Sequence, residues 1–197
     1  MADSETSQLQ INRPGRSVVT DQSSSIAGVS DSSPVHADPV LAGWTAGMTA
    51  SLPEGTKLPP HSVRCLGCGP DNPHGHHLDV HRDGERVIAV HTFDERHVGA
   101  PGIAHGGAVA TVFDDLFGFL LFIVGELAVT RSLQVDYLAP VRLDTPYSVT
   151  ANLDRREGRR LYVTAQLHAQ GGRDIATATA VFVTVPVEHF TRASEPH

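Results

Sequence analysis

Cysteine and positive charge are what this 197-residue chain is shortest of. It has two cysteines, Cys65 and Cys68, too few and too close together for a disulfide framework. Lys and Arg number 15 against 22 Asp and Glu, a net charge of -7. That balance argues against nucleic acid, which is bound by clustered basic residues that neutralise phosphates. A small anion held by a few local positives is still possible. No basic segment followed by an apolar stretch opens the chain, so no signal peptide and a cytoplasmic location are expected. The uncharged apolar run Leu116 to Gly125 falls short of the ~20 residues a membrane span needs, so none is expected. A hydrophobic fraction of 40% and a charged fraction of 19% are ordinary globular values. The length suits one domain with an extension.

Residues 1–38 are dominated by Ser, Asp, Gln, Thr and Gly, which reads as a disordered polar tail. Residues 39–60 form an extension in which Val40, Leu41, Trp44, Met48 and Leu52 suggest a short helix packed on the domain, closed by Pro53, Pro59 and Pro60. The domain is placed at 61–190, with 191–197 a C-terminal tail. Its first segment, CLGCGPDNPHGHHLDV, is a turn-rich loop. Leu78–His81 and Arg86–Phe93, around Asp83-Gly84, read as a hairpin, and 94–105 as a loop. After Gly125 the chain alternates with period two. Leu133, Val135 and Tyr137 share one face, Tyr147 to Leu153 the next, Leu161 to Ala169 another, and Ile175–Val185 is apolar or small on both faces. Tight turns at Glu157-Gly158 and Gly171-Gly172 separate the last of these, as in a meander of about four antiparallel strands.

Between hairpin and meander lies AHGGAVATVFDDLFGFLLFIVG, from Ala104 to Gly125. Apolar residues sit all round it, the mark of a helix buried inside a domain. Two acids, Asp114 and Asp115, interrupt it and would be costly to bury without a purpose. Its start is the other feature of interest. The leading amides of a helix lack intrahelical partners and carry partial positive charge, and Gly106 and Gly107 would let a ligand approach the backbone. The Gly107 amide can therefore donate to a developing oxyanion, with His105 beside it to orient a carbonyl. The plain alternative is that both glycines only permit a tight turn. At ~100° per residue Asp114 returns to the Gly107 face, whereas Asp115 is turned ~100° away. A rise of ~1.5 Å per residue nevertheless separates Gly107 from Asp114 by ~10 Å. One reacting carbonyl cannot meet both groups in one chain. If both act, they belong to different subunits facing across a two-fold axis.

HGGAVATVFDD, TRSLQVDYLAPVRL and EGRRLYVTAQLHAQGGRDIATATAVFV resemble the hotdog-fold acyl-CoA thioesterases, above all the PaaI-like group and the animal THEM enzymes. The resemblance covers roughly residues 61–186. It implies an α+β hotdog fold, one long helix wrapped by a curved antiparallel sheet and assembled at least as a dimer, with dimer and tetramer both open, and with its sites at the dimer interface. It implies hydrolysis of an acyl-CoA thioester to a carboxylate and CoA, with no cofactor, coenzyme A being part of the substrate. Asp114 matches the family's catalytic acid, nine residues after the motif histidine, and would act as general base on water or as nucleophile. Thr130 matches a hydroxyl residue that holds this acid or the attacking water, and Asn72 a position near the substrate carbonyl. Arg159 and Arg160, with Arg131 and Arg142, are candidate contacts for the phosphates of CoA.

Two other readings stand beside this one. A hotdog hydratase or dehydratase would pair its catalytic His with an acid in a different local motif. A non-catalytic acyl-CoA sensor acting on transcription would carry a basic helix-turn-helix, which the N-terminus lacks. Cys65 and Cys68 with His74, His76 and His77 invite a zinc site. Their spacing is short and no second Cys pair completes the set, so a turn motif shaping the pocket wall, with no metal, is the expectation.

Overall fold

The computed structural model describes residues 39–49 and 52–193; the expected polar tail at 1–38 lies outside them. Helix α1 (Pro39–Thr49) precedes a loop that leads to strands β1 (Val80–Asp83) and β2 (Arg86–Thr92). A 3-10 turn at Glu95–His97 and a small ribbon of β3 (Val98–Ala100) and β4 (Ile103–Ala104) follow. Next come the long helix α2 (Gly106–Val124) and strands β5 (Ala128–Tyr137), β6 (Pro146–Glu157), β7 (Arg160–His168) and β8 (Asp174–Thr184). Helix α3 (Glu188–Ala193) runs across the boundary placed at residue 190.

Six strands form one antiparallel sheet in the order β1-β2-β6-β7-β8-β5. Period-two alternation is visible in its burial: Tyr147, Val149 and Ala151 on β6, Leu161, Val163, Ala165 and Leu167 on β7, and Ala178, Ala180 and Phe182 on β8 all face inward. Alternation says which way a strand faces but not which strand lies next to it, and there the expected meander needs correction. Only β6, β7 and β8 run on as neighbours. β5 leaves α2 and pairs with β8, with Thr130↔Phe182 and Tyr137↔Ala176 in register. β6 is inserted beside β2 instead. The ten-residue β5 is thus a sheet edge, and only Ala128 on it is buried.

α2 lies across the concave face, packed against β2, β5, β6 and β7. Its N-terminus follows His105, and Gly125 ends it in the left-handed region (φ 75°), its amide donating to the Leu121 carbonyl at 2.8 Å; a glycine there avoids the Cβ penalty. Val112, Phe113, Leu116 and Phe117 are fully buried. Gly106–Val124 as a whole, acids included, is long and apolar enough by length and composition to cross a membrane (mean hydropathy 1.9). Counting from Leu116 alone understated it. Its hydropathy belongs to its place in the fold: it fills the hollow of the sheet and carries the inward-facing aromatic core.

Candidate active site

The start of α2 is held from several sides. Ala104 donates its amide to the Val141 carbonyl (2.8 Å), His105 donates to the His97 carbonyl (2.7 Å), and the Tyr137 hydroxyl donates to the Gly106 carbonyl (2.6 Å). The His105 side chain caps the helix: its Nδ1 accepts the Gly107 amide at 2.8 Å. The unpartnered Gly107 donor expected from sequence is therefore engaged, because the residue placed to orient a substrate is also well placed to cap the helix. An incoming carbonyl oxygen would have to displace the imidazole.

Seven residues on, Asp114 accepts a hydrogen bond from the Thr130 hydroxyl at 2.9 Å. The contact crosses from mid-helix to the edge strand, and β5 carries a register shift between Thr130 and Ser132. Gly107, Thr111, Asp114, Thr130 and Leu133 line one cleft of about 500 Å³, whose far wall is Cys65, Leu66 and Gly67. A second, largely apolar cavity of about 370 Å³ shares Asp114, Asp115, Cys65 and Thr130 with it. It extends away from Gly107 between Trp44, Met48, Phe122, Phe182 and Phe190. Asp114 thus stands where the cleft that begins at Gly107 meets a second cavity walled by aromatic side chains. Phe113, Phe117 and Phe119 are core residues and do not line either space.

The remaining candidates sit elsewhere. Asn72 spends its amide within its own loop, donating to the Arg64 carbonyl (3.1 Å) and accepting from the His74 amide (3.0 Å). Arg159 donates to the Thr184 carbonyl at 2.9 Å and lines a separate cavity at the C-terminal end of α2. Arg160 is exposed at the start of β7.

The sequence turns Asp115 away from the Gly107 face and assigns it no partner; the structure gives it a buried set of its own. Its side chain, 9% exposed, meets His61 Nδ1 at 3.1 Å and Cys65 Sγ at 3.0 Å, with Cys68 Sγ at 3.8 Å. Burial pushes the Asp115 carboxyl up, opposed by the His61 hydrogen bond. Burial pulls His61 down, but hydrogen bonds to Asp115 and Cys65 outweigh it and hold the imidazole at about 9. The hydrogen bond from Cys68 lowers the Cys65 thiol, while that same bond and burial raise Cys68. The available signal was the doubled acid itself. Its partner His61 lies 54 positions away, beyond the reach of any local pattern.

The three histidines His76, His91 and His97 form a second buried group. His76 Nδ1 lies 3.2 Å from His91 Nε2, and the His76 and His97 rings stack at 4.0 Å and 9°. Two parallel rings cannot both hold one ion in their planes, so this is a hydrogen-bonded core group, and it supports the His97 carbonyl that anchors His105. Burial first, then neighbouring positive charge, lowers His76 to about 3 and His91 to about 4; burial likewise lowers His97. Above the ordinary value of 6.5 the group is neutral whether folded or unfolded. Below it the unfolded chain binds protons that the folded chain refuses, so stability falls as pH falls from 6.5 toward the folded values. Melting followed by circular dichroism should show Tm dropping between about pH 7 and about pH 5, with a shallower slope in His91→Gln; equal slopes would contradict this reading.

Residues 101–176 match the model of the thioesterase superfamily. A candidate esterase of Pseudomonas aeruginosa is 30% identical over 105 residues, covering 51% of this chain and 78% of that protein. The chain belongs to the thioesterase superfamily. The acyl-coenzyme A thioesterase THEM4 of Rattus norvegicus is 36% identical over 100 residues, 50% of this chain and 43% of that protein, so the chain spans less than half of that relative's length. Among solved structures, the thioesterase superfamily protein RHA08564 superposes with a TM-score of 0.59 at 23% identity, covering 61% of this chain and 60% of that one. The PaaI protein of Escherichia coli gives 0.53 at 16%, covering 56% and 81%. A protein of Streptococcus pneumoniae described as a hypothetical thioesterase and solved with coenzyme A gives 0.52 at 19%, covering 55% and 85%. These likenesses agree with the hotdog architecture expected from the sequence.

Proposed function

We propose that this thioesterase superfamily member hydrolyses an acyl-CoA thioester, releasing a carboxylate and free CoA, with coenzyme A as part of the substrate. The observation that carries the proposal is Asp114, held by Thr130 at 2.9 Å, at the junction of the Gly107 cleft and an apolar cavity. The apolar cavity suits the acyl group. The carbonyl lies in the cleft, where Asp114 activates water or attacks directly. The name of the THEM4 relative and the coenzyme A in the streptococcal structure support this substrate class.

The oxyanion donor for that carbonyl is the Gly107 amide of a second chain. Within one chain the two groups are ~10 Å apart along the helix. The β5 edge supports the pairing. It is ten residues long, largely exposed, and paired on one side only among the described residues, and such an edge is a ready template for another strand. Two β5 strands joined antiparallel would set two α2 helices side by side and antiparallel, each Gly107 opposite the other chain's Asp114. When substrate enters, its carbonyl oxygen replaces His105 Nδ1 on the Gly107 amide, and His105 turns to hold the substrate. CoA phosphates are left to local arginines such as Arg159 and Arg160. Free-thiol release across aliphatic and aryl acyl-CoAs tests the proposal: turnover of acyl groups that fit the Trp44–Phe122–Phe182 cavity is expected, and no thiol release from any of them would refute it.

A further inference from the structure

We infer that His61, Cys65, Cys68 and Asp115 form a binding site for a zinc ion, which ties the loop after α1 to the central helix. Each residue offers one ligand atom, and the four atoms lie within 4.8 Å of one another. Two thiols, an imidazole and a carboxylate are a donor set suited to zinc, and the Cys-x2-Cys spacing is usual for such sites. The measured edges are 3.1 Å (His61 Nδ1 to Asp115 Oδ1), 3.0 Å (Cys65 Sγ to Asp115 Oδ1), 3.4 Å (Cys68 Sγ to His61 Nδ1) and 3.8 Å (Cys68 Sγ to Asp115 Oδ1). A tetrahedron with Zn–N, Zn–O and Zn–S bonds of ~2.0–2.3 Å has edges of ~3.3–3.8 Å, so all four fall within about half an ångström of that range.

The surroundings point the same way. The His61 backbone amide donates to Cys68 Sγ at 3.2 Å, the kind of outer hydrogen bond that steadies a thiolate ligand. A Cβ on Gly67 would fall 2.1 Å from the Asp115 carboxylate carbon, so the loop is shaped to admit that carboxylate. Asp115 Oδ1, His61 Nδ1 and the two thiol sulfurs converge on one buried point, and a cation there would give each of these lone pairs a partner at once.

Four protein ligands make a closed site, structural rather than catalytic. Binding takes both cysteines as thiolates and releases their thiol protons to solvent. Because Cys65, Leu66 and Gly67 are also the far wall of the Asp114 cleft, the ion would set the width of that cleft without touching substrate. The sequence pointed to His74, His76 and His77 as companions of the cysteines; the fold brings His61 and Asp115 to them instead.

The test is metal content and zinc titration of the full-length protein, purified under thiol-reducing conditions. About one zinc per chain is expected, with affinity reduced more than ~100-fold in Cys65→Ser and in Asp115→Asn, beyond the ~10–100-fold that follows loss of an outer hydrogen-bond partner. Cobalt(II) added to chelator-treated wild-type protein should give thiolate charge-transfer absorption and the intense d–d bands of a tetrahedral site, a readout that does not depend on any variant folding. Wild-type protein that binds neither zinc nor cobalt, or variants that bind zinc as tightly as wild type, would overturn the site.

Discussion

Asp114→Asn should lower kcat for acyl-CoA hydrolysis by about 10²–10⁴ while leaving KM within roughly threefold. The amide keeps an oxygen that can accept the Thr130 hydrogen bond now made at 2.9 Å, so the helix-to-strand contact and the cleft should survive. What is lost is the ability to take a proton from water or to attack the carbonyl. Both act in the transition state and not in ground-state binding, so the loss falls on kcat. Steady-state thiol release, with a circular dichroism melt to confirm folding, measures it. Activity within about threefold of wild type would remove Asp114 from the mechanism.

The helix that carries Asp114 was legible from sequence because its signals are local. A His-Gly-Gly start, an apolar run and a terminal glycine led to Ala104–Gly125, and the helix observed is Gly106–Val124. The inward faces of β6 and β7 were legible for the same reason, since alternation is a property of one strand. Partnership was not legible. That β5 pairs with β8 and leaves an edge depends on where the loop at 138–145 carries the chain, which no period encodes. The His105 cap on Gly107 turns on a side-chain rotamer. The union of Asp115 with His61, Cys65 and Cys68 closes contacts of 47 to 54 positions, so the cysteines were weighed against histidines near them in sequence and not in space. The Thr130–Asp114 contact, by contrast, followed from the family resemblance.

The second large effect concerns stability. Phe117→Ala should destabilise the fold by ~3–5 kcal/mol, the usual cost of removing a buried aromatic ring and leaving a cavity. Phe117 is fully buried and meets Phe182 of β8 edge-on at 6.1 Å between ring centres, so it joins the helix to the strand that carries β5. The neighbours cannot close the gap cheaply, because Phe113 and Leu116 beside it are also fully buried. In a domain of this size the change corresponds to a Tm drop of roughly 6–20 °C. A drop under about 2 °C by calorimetry or circular dichroism would show that the helix is not packed into the sheet as described.

The claim on which the mechanism rests is that one working site takes its oxyanion amide from one chain and its acid from another. Hybrid oligomers test it directly. A Gly107→Val chain should fold, since a Cβ there meets only the His105 ring, at 3.0–3.2 Å, yet it blocks approach to the amide. Co-expressed with an Asp114→Asn chain under a different tag and purified through both tags, it yields a pair with one intact site and one doubly impaired site. Thiol release by that hybrid should return to about half the wild-type rate although each parent alone is nearly inactive. A hybrid no more active than its parents would place both groups in a single chain and contradict the account.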